Sequence, residues 1–457
     1  PLSFESSEVT KPGIYGSWFN RLVIASDQSG DYSYSIMIGD EINTTLTPMT
    51  FRKAGFNGVV ISAANSNVEV TGLFSRISNP IISIDAEIPT RPASHFTNLM
   101  GGRVEAAVTN SLTLGATFVN AHNGTGARES FQDNPFKGLL TGGQIEQRQT
   151  LLVVRLSDDS PEDGAGGAVL FSEDVQITTT LMREVEGPMG MELVPRDTVI
   201  TGSSIGFRAA REGGSVRDGF LTADGAESIT LKYQLTGTED DQESSLRLRL
   251  QQGLGLTLAE AEDAVTAIKN VRVRMVVAND YRIEVASDRQ VNNVGQPQFI
   301  VVSRAPGNIR NRLNQREVVF DYGLPTANQI FGATAELRDF HGFDFYGEFN
   351  VNNQYRKYPS VNAKNRPAIS GIVDDERAIG WMANLSKQAG PWHFFLEAFG
   401  MDEEYNSSVR PVNPRGTVDY SPEATNRNYD FVEDNDDNDR HPDQLRFNRG
   451  SLVPIPG

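Results

Sequence analysis

The chain has 457 residues and no cysteine, and its 41 lysine and arginine residues are outnumbered by 59 aspartate and glutamate residues. The absence of thiols excludes a disulfide framework, a zinc finger, an iron–sulfur cluster and a cysteine nucleophile. The net charge of −18 argues against a nucleic-acid partner, because phosphate contacts need clustered basic side chains. No run of about 18 apolar residues occurs, which excludes a helical membrane span but not spanning strands of about 10 residues.

The first 147 residues predict a series of strands. From Tyr32 to Ile38 every second residue is large and apolar, and the same period of two recurs from Val68 to Ser75 and from Leu112 to Phe118. Successive side chains of a strand point to opposite faces, so this period indicates strands with one apolar face. Turns are predicted before the second and third of these strands, and a long polar loop after the third. These connections are residues 65–67, 110–111 and 120–133.

The pattern changes near residue 148. Leu151 to Leu156 is a nearly continuous apolar run, followed by an acidic, glycine-rich stretch at residues 157–167. Further on, Thr257 and Glu260 form a capping box ahead of apolar residues at helical spacing, which predicts a helix from Thr257 to Lys269.

Strands are predicted on either side of this helix, at Ser245–Leu250 and at Val271–Val277. Residues 148–305 are therefore interpreted as an inserted domain, either α+β or a β-sandwich. It separates hairpins in residues 1–147 from hairpins in residues 306–457.

Two strong hairpin patterns follow this domain. Phe331–Arg338 pairs with Phe343–Asn352 around a turn at His341 and Gly342, and Ile379–Ser386 pairs with Trp392–Phe399 around Gly390. One face of these strands is apolar and aromatic, whereas the other carries charges and amides, although the last strand is less cleanly divided. Such a strand suits lipid on one side and water on the other. Aromatic residues expected near strand ends, as in an interfacial girdle, are Tyr355, Trp381 and Trp392.

A soluble β protein remains the alternative, because an apolar strand face also packs against a second sheet in sandwiches. Two observations favour the membrane. Glycine and alanine recur beside aromatic residues on the apolar face, and long acidic connections alternate with tight turns.

Three segments resemble parts of large bacterial outer-membrane β-barrel proteins: FGATAELRDFHGFDFYGEFNVNNQYRKYP, GWMANLSKQAGPWHFFLEAFGMDEEY and YDFVEDNDDNDRHPD. The resemblance is one of pattern and carries no fixed catalytic residues. It covers the last third of the chain best and the first 147 residues moderately. It implies a mainly β fold, with an antiparallel transmembrane β-barrel and an inserted soluble domain, in the outer membrane of a Gram-negative bacterium. Such barrels usually end on a strand with a terminal aromatic residue, whereas the sequence ends at Pro456 and Gly457, so an incomplete barrel is expected.

The resemblance leaves two functions open. The first is a barrel that acts as a pore or transport channel, or as a platform for cell-surface assembly, with outer-membrane lipid and other envelope proteins as partners. The second is a secreted or surface-displayed β protein that binds carbohydrate or another envelope component through calcium-stabilised loops.

The densest acidic stretch, EDNDDNDRHPD at residues 433–443, is the candidate metal site. Asn435, Asp437, Asp439 and Asp443 would place oxygen ligands in one loop, which suits Ca²⁺ because this ion takes six to eight oxygens. Arg440 stands where a glycine would ease the turn, and a solvated acidic loop explains the composition equally well. Calcium is the one cofactor predicted.

Other chemistry finds no support in the sequence. The five histidines lack the HExxH and HxxxH spacings of metal sites, and His122 and His341 are interpreted as loop or turn residues. Glycines 164, 166 and 167 follow acidic residues and precede no basic residue, so they do not predict a phosphate loop. Carboxylate pairs are abundant enough to arise by chance. No catalytic residues are predicted, and the chain is not expected to be an enzyme.

Overall fold

The computed structural model describes most of the chain between residues 23 and 419. The described ranges are 23–76, 95–125, 134–138, 149–163, 166–187, 190–236, 245–291, 297–359, 373–402, 404–407, 410, 412 and 418–419.

Six strands open the described part of the chain. They are β1 (Val23–Ser29), β2 (Tyr32–Thr47), β3 (Phe51–Ala64), β4 (Val68–Arg76), β5 (His95–Ala107) and β6 (Leu112–Thr125). A short 3₁₀ turn, Pro135–Lys137, follows them. The turns at residues 65–67 and 110–111 lie where the sequence predicts them.

Twelve strands and two helices form the middle of the chain. The strands are β7 (Leu151–Ser157), β8 (Ala168–Gly187), β9 (Gly190–Thr201), β10 (Ala210–Gly213), β11 (Ser215–Arg217), β12 (Phe220–Ala223), β13 (Ser228–Gln234), β14 (Ile268–Ala278), β15 (Arg282–Ser287), β16 (Gln290–Val291), β17 (Ile300–Arg304) and β18 (Arg316–Tyr322). The helices are α1 (Leu246–Leu254) and α2 (Leu258–Thr266), and two further 3₁₀ turns are Pro161–Asp163 and Gly202–Ile205.

Four long strands and one short strand follow. They are β19 (Leu324–Phe340), β20 (Phe343–Lys357), β21 (Val373–Ala389), β22 (Trp392–Met401) and β23 (Val418–Asp419). Their turns match the sequence prediction: His341 and Gly342 both have positive φ, at 56° and 79°, and Gly390 has φ 60°.

The first sheet contains ten strands, and each is antiparallel to its neighbours. Its order is β1-β2-β3-β4-β5-β6-β19-β20-β21-β22, so chain order is broken only where β6 pairs directly with β19. The chain therefore leaves this sheet after β6, builds β7 to β18 elsewhere, and returns beside the strand that it left.

Strands β7 to β18 and the two helices, here called the inserted unit, enclose the larger apolar core. One sheet has the order β10-β13-β7-β15-β16-β23, with β17 beside β15, and the other has the order β11-β12-β8-β14-β18, with β9 beside β8. Alternate residues of both sheets, such as Leu152 and Leu231 of one and Val175 and Val273 of the other, are fully buried in one cluster. Two sheets that share a core in this way form a β-sandwich.

The two helices begin and end at identifiable capping residues. In α2 the predicted capping box is present: Thr257 Oγ1 accepts from the Glu260 amide at 3.3 Å, and Glu260 Oε2 accepts from the Thr257 amide at 2.8 Å. The helix ends at Thr266, and the predicted residues beyond it begin β14. The prediction of a strand at Ser245–Leu250 is wrong, because Ser245 caps α1 and Gly255 ends it in the left-handed conformation.

Two further predictions are corrected by the first sheet. Residues 120–125 belong to β6 and not to a loop, and His122 is buried within this strand. Trp381 lies in the middle of β21, whereas Trp392 begins β22 and Tyr355 lies near the end of β20. The chain is mainly β, with three sheets and two short helices among the described residues.

Candidate functional site

The ten-stranded sheet has two chemically different faces. On one, here called the apolar face, Phe118, Phe331 and Val351 lie side by side on β6, β19 and β20, and the two phenylalanine rings are 5.0 Å apart. Phe331 and Phe349 are each 47% exposed and Trp381 is 40% exposed, so large apolar side chains face outward without cover among the described residues. Other exposed apolar side chains on this face are Ile61, Val70, Phe74, Val104, Leu114, Ile379, Leu385, Phe394 and Leu396.

The apolar face ends abruptly along the strands. Asn120, His122 and Gln329 occupy the next positions on the same face, and all three are buried under the turn Pro135–Lys137. The carbonyl of Phe136 accepts from Asn120 Nδ2 at 3.0 Å and from Gln329 Nε2 at 3.2 Å. His122 Nδ1 contacts Asn120 Oδ1 at 2.7 Å. An apolar band and a hydrogen-bonded amide band are therefore adjacent on one surface.

The opposite face, here called the polar face, is partly covered by the chain itself. Residues 40–57, here called the inner hairpin, comprise the end of β2 and the start of β3, and their register with each other shifts at three places. β3 pairs with β4 only from Val59 onward. A Cβ atom at Gly58 would collide with the carbonyl oxygen of Phe74, so this bend requires glycine.

The inner hairpin has its own apolar core against the sheet. Ile42, Leu46 and Phe51 are buried, and they pack with Val60, Leu73, Leu99, Val119, Ala121 and Ile330 on β3 to β6 and β19. Close packing also involves Gly101, because a Cβ atom there would lie 3.2 Å from Leu46 Cδ1. The hairpin is thus a packed part of the polar face.

The tip of the inner hairpin contacts a buried carboxylate on β20. Glu348 is 3% exposed, and its Oε1 accepts from Thr47 Oγ1 at 2.6 Å and from the Met49 amide at 3.3 Å. Two residues of β20 itself donate to the same carboxylate, Asn350 Nδ2 at 2.9 Å and the Tyr346 hydroxyl at 2.9 Å. A buried carboxylate needs such donors, because an unpaired charge away from water is costly.

A second polar group on this face is centred on Arg103. Its guanidinium donates to Glu105 at 2.6 Å, to Thr117 at 3.2 Å and to Thr334 at 3.1 Å. The Arg103 side chain is 12% exposed and that of Glu105 is 31% exposed. Arginine and carboxylate are therefore held in place, and water reaches this part of the polar face.

Residues 402, 404–407, 410 and 412, here called the strap, lie along the polar face at its other end. Asn406 bridges β20 and β19: its amide donates to Asn352 Oδ1 at 3.1 Å, and its carbonyl accepts from Asn328 Nδ2 at 2.6 Å. The Val412 amide donates to Thr97 Oγ1 at 3.0 Å. The Tyr405 hydroxyl donates to the Met49 carbonyl at 2.8 Å, so the strap also holds the tip of the inner hairpin.

The predicted calcium ligands Asn435, Asp437, Asp439 and Asp443 lie outside the described residues, and the calcium site stays a prediction. Among the residues that are described, three or more His, Asp or Glu side chains are nowhere grouped as a metal site would require.

Sequence reasoning missed the inner hairpin and the strap. A local signal for the hairpin tip exists in Thr47-Pro48-Met49-Thr50, where proline at the second position favours a turn between the apolar Leu46 and Phe51. The role of Glu348 had no such signal, because its hairpin partners lie 301 and 299 positions away.

Comparison with protein-family models and with curated protein sequences finds no match for this chain. In the described part of the chain, no helix has the length and apolarity needed to cross a membrane.

Proposed function

We propose that the ten-stranded sheet is part of the wall of a β-barrel in a bacterial outer membrane, with lipid on its apolar face and a water-filled lumen along its polar face. Passage of solutes through that lumen is the proposed function. The observation that carries the proposal is the exposed apolar face, opposite a face with the buried carboxylate of Glu348, buried amides and the partly covered Arg103. In water such a face would be an aggregation hazard, whereas lipid makes it favourable.

The dimensions of the strands support a membrane-spanning wall. A spanning strand needs about 10 residues, and β19, β20 and β21 have 17, 15 and 17. The apolar face ends at the amide band of Asn120 and Gln329, where an interface between lipid and water would begin. The long strands then extend beyond the lipid.

The sheet edges support the same proposal. β1 and β22 end the strand order, and neither has a second neighbour among the described residues. β22 exposes large apolar side chains on both faces, including Phe394 at 59% and Phe395 at 60%. Spanning sheets must be closed, because lipid offers no hydrogen bonds to a free edge. Pairing at these two edges would complete the wall.

The inserted unit has a defined place in this proposal. It leaves the wall after Thr125 and rejoins it at Leu324, both at the end that carries the amide band. It therefore lies in water on one side of the membrane, where it is available to other envelope proteins.

Two adjacent residues provide a direct test, because the chain has no native cysteine. Ala335→Cys would place a fluorophore on the apolar face and Glu336→Cys on the polar face. In reconstituted vesicles, lipids brominated on their acyl chains should quench the first fluorophore and spare the second, whereas a water-soluble quencher should do the reverse. Equal quenching at both positions, or recovery of the whole chain in the soluble fraction without detergent, would contradict the proposal.

We also propose that Ca²⁺ binds the acidic loop at residues 433–443. Calcium should raise the melting temperature of the chain, and the double change Asp437→Asn and Asp439→Asn should abolish the rise. An unchanged melting temperature in the parent chain would remove the ion from the proposal.

A further inference from the structure

The tip of the inner hairpin is held by one side chain of the wall. Glu348 receives two hydrogen bonds from the hairpin, from Thr47 and Met49, and two from its own strand, from Asn350 and Tyr346. Three of these four donors bind Oε1, and only Tyr346 binds Oε2. Hydrogen bonds to an ionised group are roughly twice as strong as neutral ones, so this one residue supplies much of the polar attachment of the tip.

The tip has three other hydrogen-bond contacts. Met49 receives a hydrogen bond from Tyr405 of the strap, and within the tip itself Thr47 Oγ1 accepts from the Thr50 amide and contacts the Thr50 hydroxyl. Thr47, Met49 and Thr50 are buried, whereas Pro48 between them is exposed. The tip therefore packs against the polar face through Thr47, Met49 and Thr50, and its turn at Pro48 faces away from the sheet.

We infer that Glu348 is a latch: its carboxylate holds the inner hairpin across the polar face and thereby sets the size of the solutes that pass. The effect of the hairpin on solute size rests on the proposed function, whereas the attachment of the hairpin by Glu348 concerns the fold alone. Glu348 is thus a positioning residue that acts on solutes through the hairpin.

A neutral side chain of the same shape would be a weaker latch, because its hydrogen bonds to the hairpin are no longer charge-assisted. In Glu348→Gln one carboxylate oxygen becomes an NH₂ group, which faces donors where it needs acceptors. If the NH₂ group takes the Oε1 position, Thr47, Met49 and Asn350 lose their acceptor inside a buried site; if it takes the Oε2 position, the same three donors keep a neutral acceptor in place of a charged one. Thr47→Val removes the hydroxyl donor from the other side of the latch while keeping the shape of the side chain.

The first experiment measures exposure of the tip. A single cysteine at Thr50 reports on the latch, because Thr50 is buried and the chain has no other thiol. Glu348→Gln and Thr47→Val should each raise its rate of reaction with a charged maleimide by about tenfold or more, the factor that corresponds to one lost hydrogen bond to a charged group. Thr47→Ser, which keeps the hydroxyl, should restore the parent rate.

Glu284→Gln is the matched control, because it also neutralises a buried carboxylate. Glu284 lies in β15 of the inserted unit, where it pairs with Arg155 at 2.7 Å, in a different sheet from the inner hairpin. This change should lower the melting temperature and leave the labelling rate unchanged. If Glu348→Gln and Thr47→Val label no faster than the control, the latch is disproved.

The second experiment measures passage. Vesicles that contain the parent chain should exclude large sugar polymers that pass through the Glu348→Gln variant. A disulfide between Thr50→Cys and Gly332→Cys would lock the hairpin: a Cβ atom at Gly332 would lie 3.2 Å from Thr50 Cγ2, although it would also collide with Asn350 Oδ1, so the Asn350 side chain must move to admit the cysteine. Oxidation of Thr50→Cys with Gly332→Cys in the Glu348→Gln background should restore the smaller size limit, and reduction should release it.

The outcomes separate the two proposals. Faster labelling without any flux in parent or variants would retain the latch and overturn solute passage. Flux with faster labelling but an unchanged size limit would overturn the role of the hairpin in setting solute size. A size limit that follows oxidation and reduction of the lock would support both.

Discussion

An arginine at Ala333 tests which solvent the apolar face meets. Ala333 lies beside Ala116 and Phe349 in the middle of this face, and the nearest polar side chain along β19 on the same side is Gln329. Four residues of strand span about 13 Å, which is beyond the reach of an arginine side chain. In lipid the guanidinium would stay in hydrocarbon, and the free energy of unfolding should fall by about 2–4 kcal/mol. In water the same change should cost under about 0.5 kcal/mol.

The assay is denaturant unfolding in lipid vesicles, with Thr113→Arg as the comparison. Thr113 is directly opposite Glu336 on the polar face, so an arginine there meets water and a carboxylate. Its cost should stay under about 0.5 kcal/mol. If Ala333→Arg costs no more than Thr113→Arg, the apolar face is not in lipid and the reasoning fails.

Three further predictions concern the inserted unit, each read from chemical or thermal unfolding of the full chain. Thr257→Ala removes the capping box of α2 and should cost about 1 kcal/mol, whereas Thr257→Ser should cost little; equal losses would contradict this. The Tyr233 hydroxyl is buried without a hydrogen-bond partner among the described residues, so Tyr233→Phe should raise stability by about 1 kcal/mol, and a loss would show a missed partner. The hydrogen bond from Lys269 lowers the pKa of Asp197, so its contribution is present at neutral pH and lost as the pH falls below the ordinary value of 3.8. Asp197→Asn should therefore cost about 0.5 kcal/mol at pH 7 and progressively less as the pH falls below 3.8, and a cost that stays constant in acid would contradict the assignment.

The long strands of the first sheet were predictable because their signal is local. Phe343 to Asn352 alternate in polarity over ten residues, and the turn before them needs positive φ at His341 and Gly342. Both signals depend only on neighbours in the sequence. They predict strands, hairpins and faces, and they do so best where one strand follows another without interruption.

The inner hairpin was not predictable in this way. Its strands contain register shifts, so the period of two breaks down between Gly39 and Phe56. Its buried residues, such as Leu46, are covered by strands that arrive far later in the chain. Glu348 has the sequence pattern of any acidic residue on a wet strand face, and only the fold shows that Thr47 covers it.

The helix α1 illustrates a different limit. Leu246, Leu248 and Leu250 alternate with charged residues, which is the pattern of a strand. Leu246 and Leu250 are also four residues apart, which is the spacing of one helix face, and both are 1% exposed. Two periods fit this short segment, and the caps at its ends decide between them.

The insertion between β6 and β19 has a consequence for the order of folding. Asn123 donates a hydrogen bond to the carbonyl oxygen of Pro325, which lies 202 positions later, so β6 and β19 meet across a very long excursion of the chain. Closing an unstructured loop of that length would cost about 5 kcal/mol of entropy. A sandwich that folds first brings its two ends together and removes most of that cost. The inserted unit would then hold β6 and β19 close together during folding, so that the two strands pair faster. Variants that destabilise the inserted unit should therefore slow the pairing of β6 with β19 before they change the structure of the folded chain.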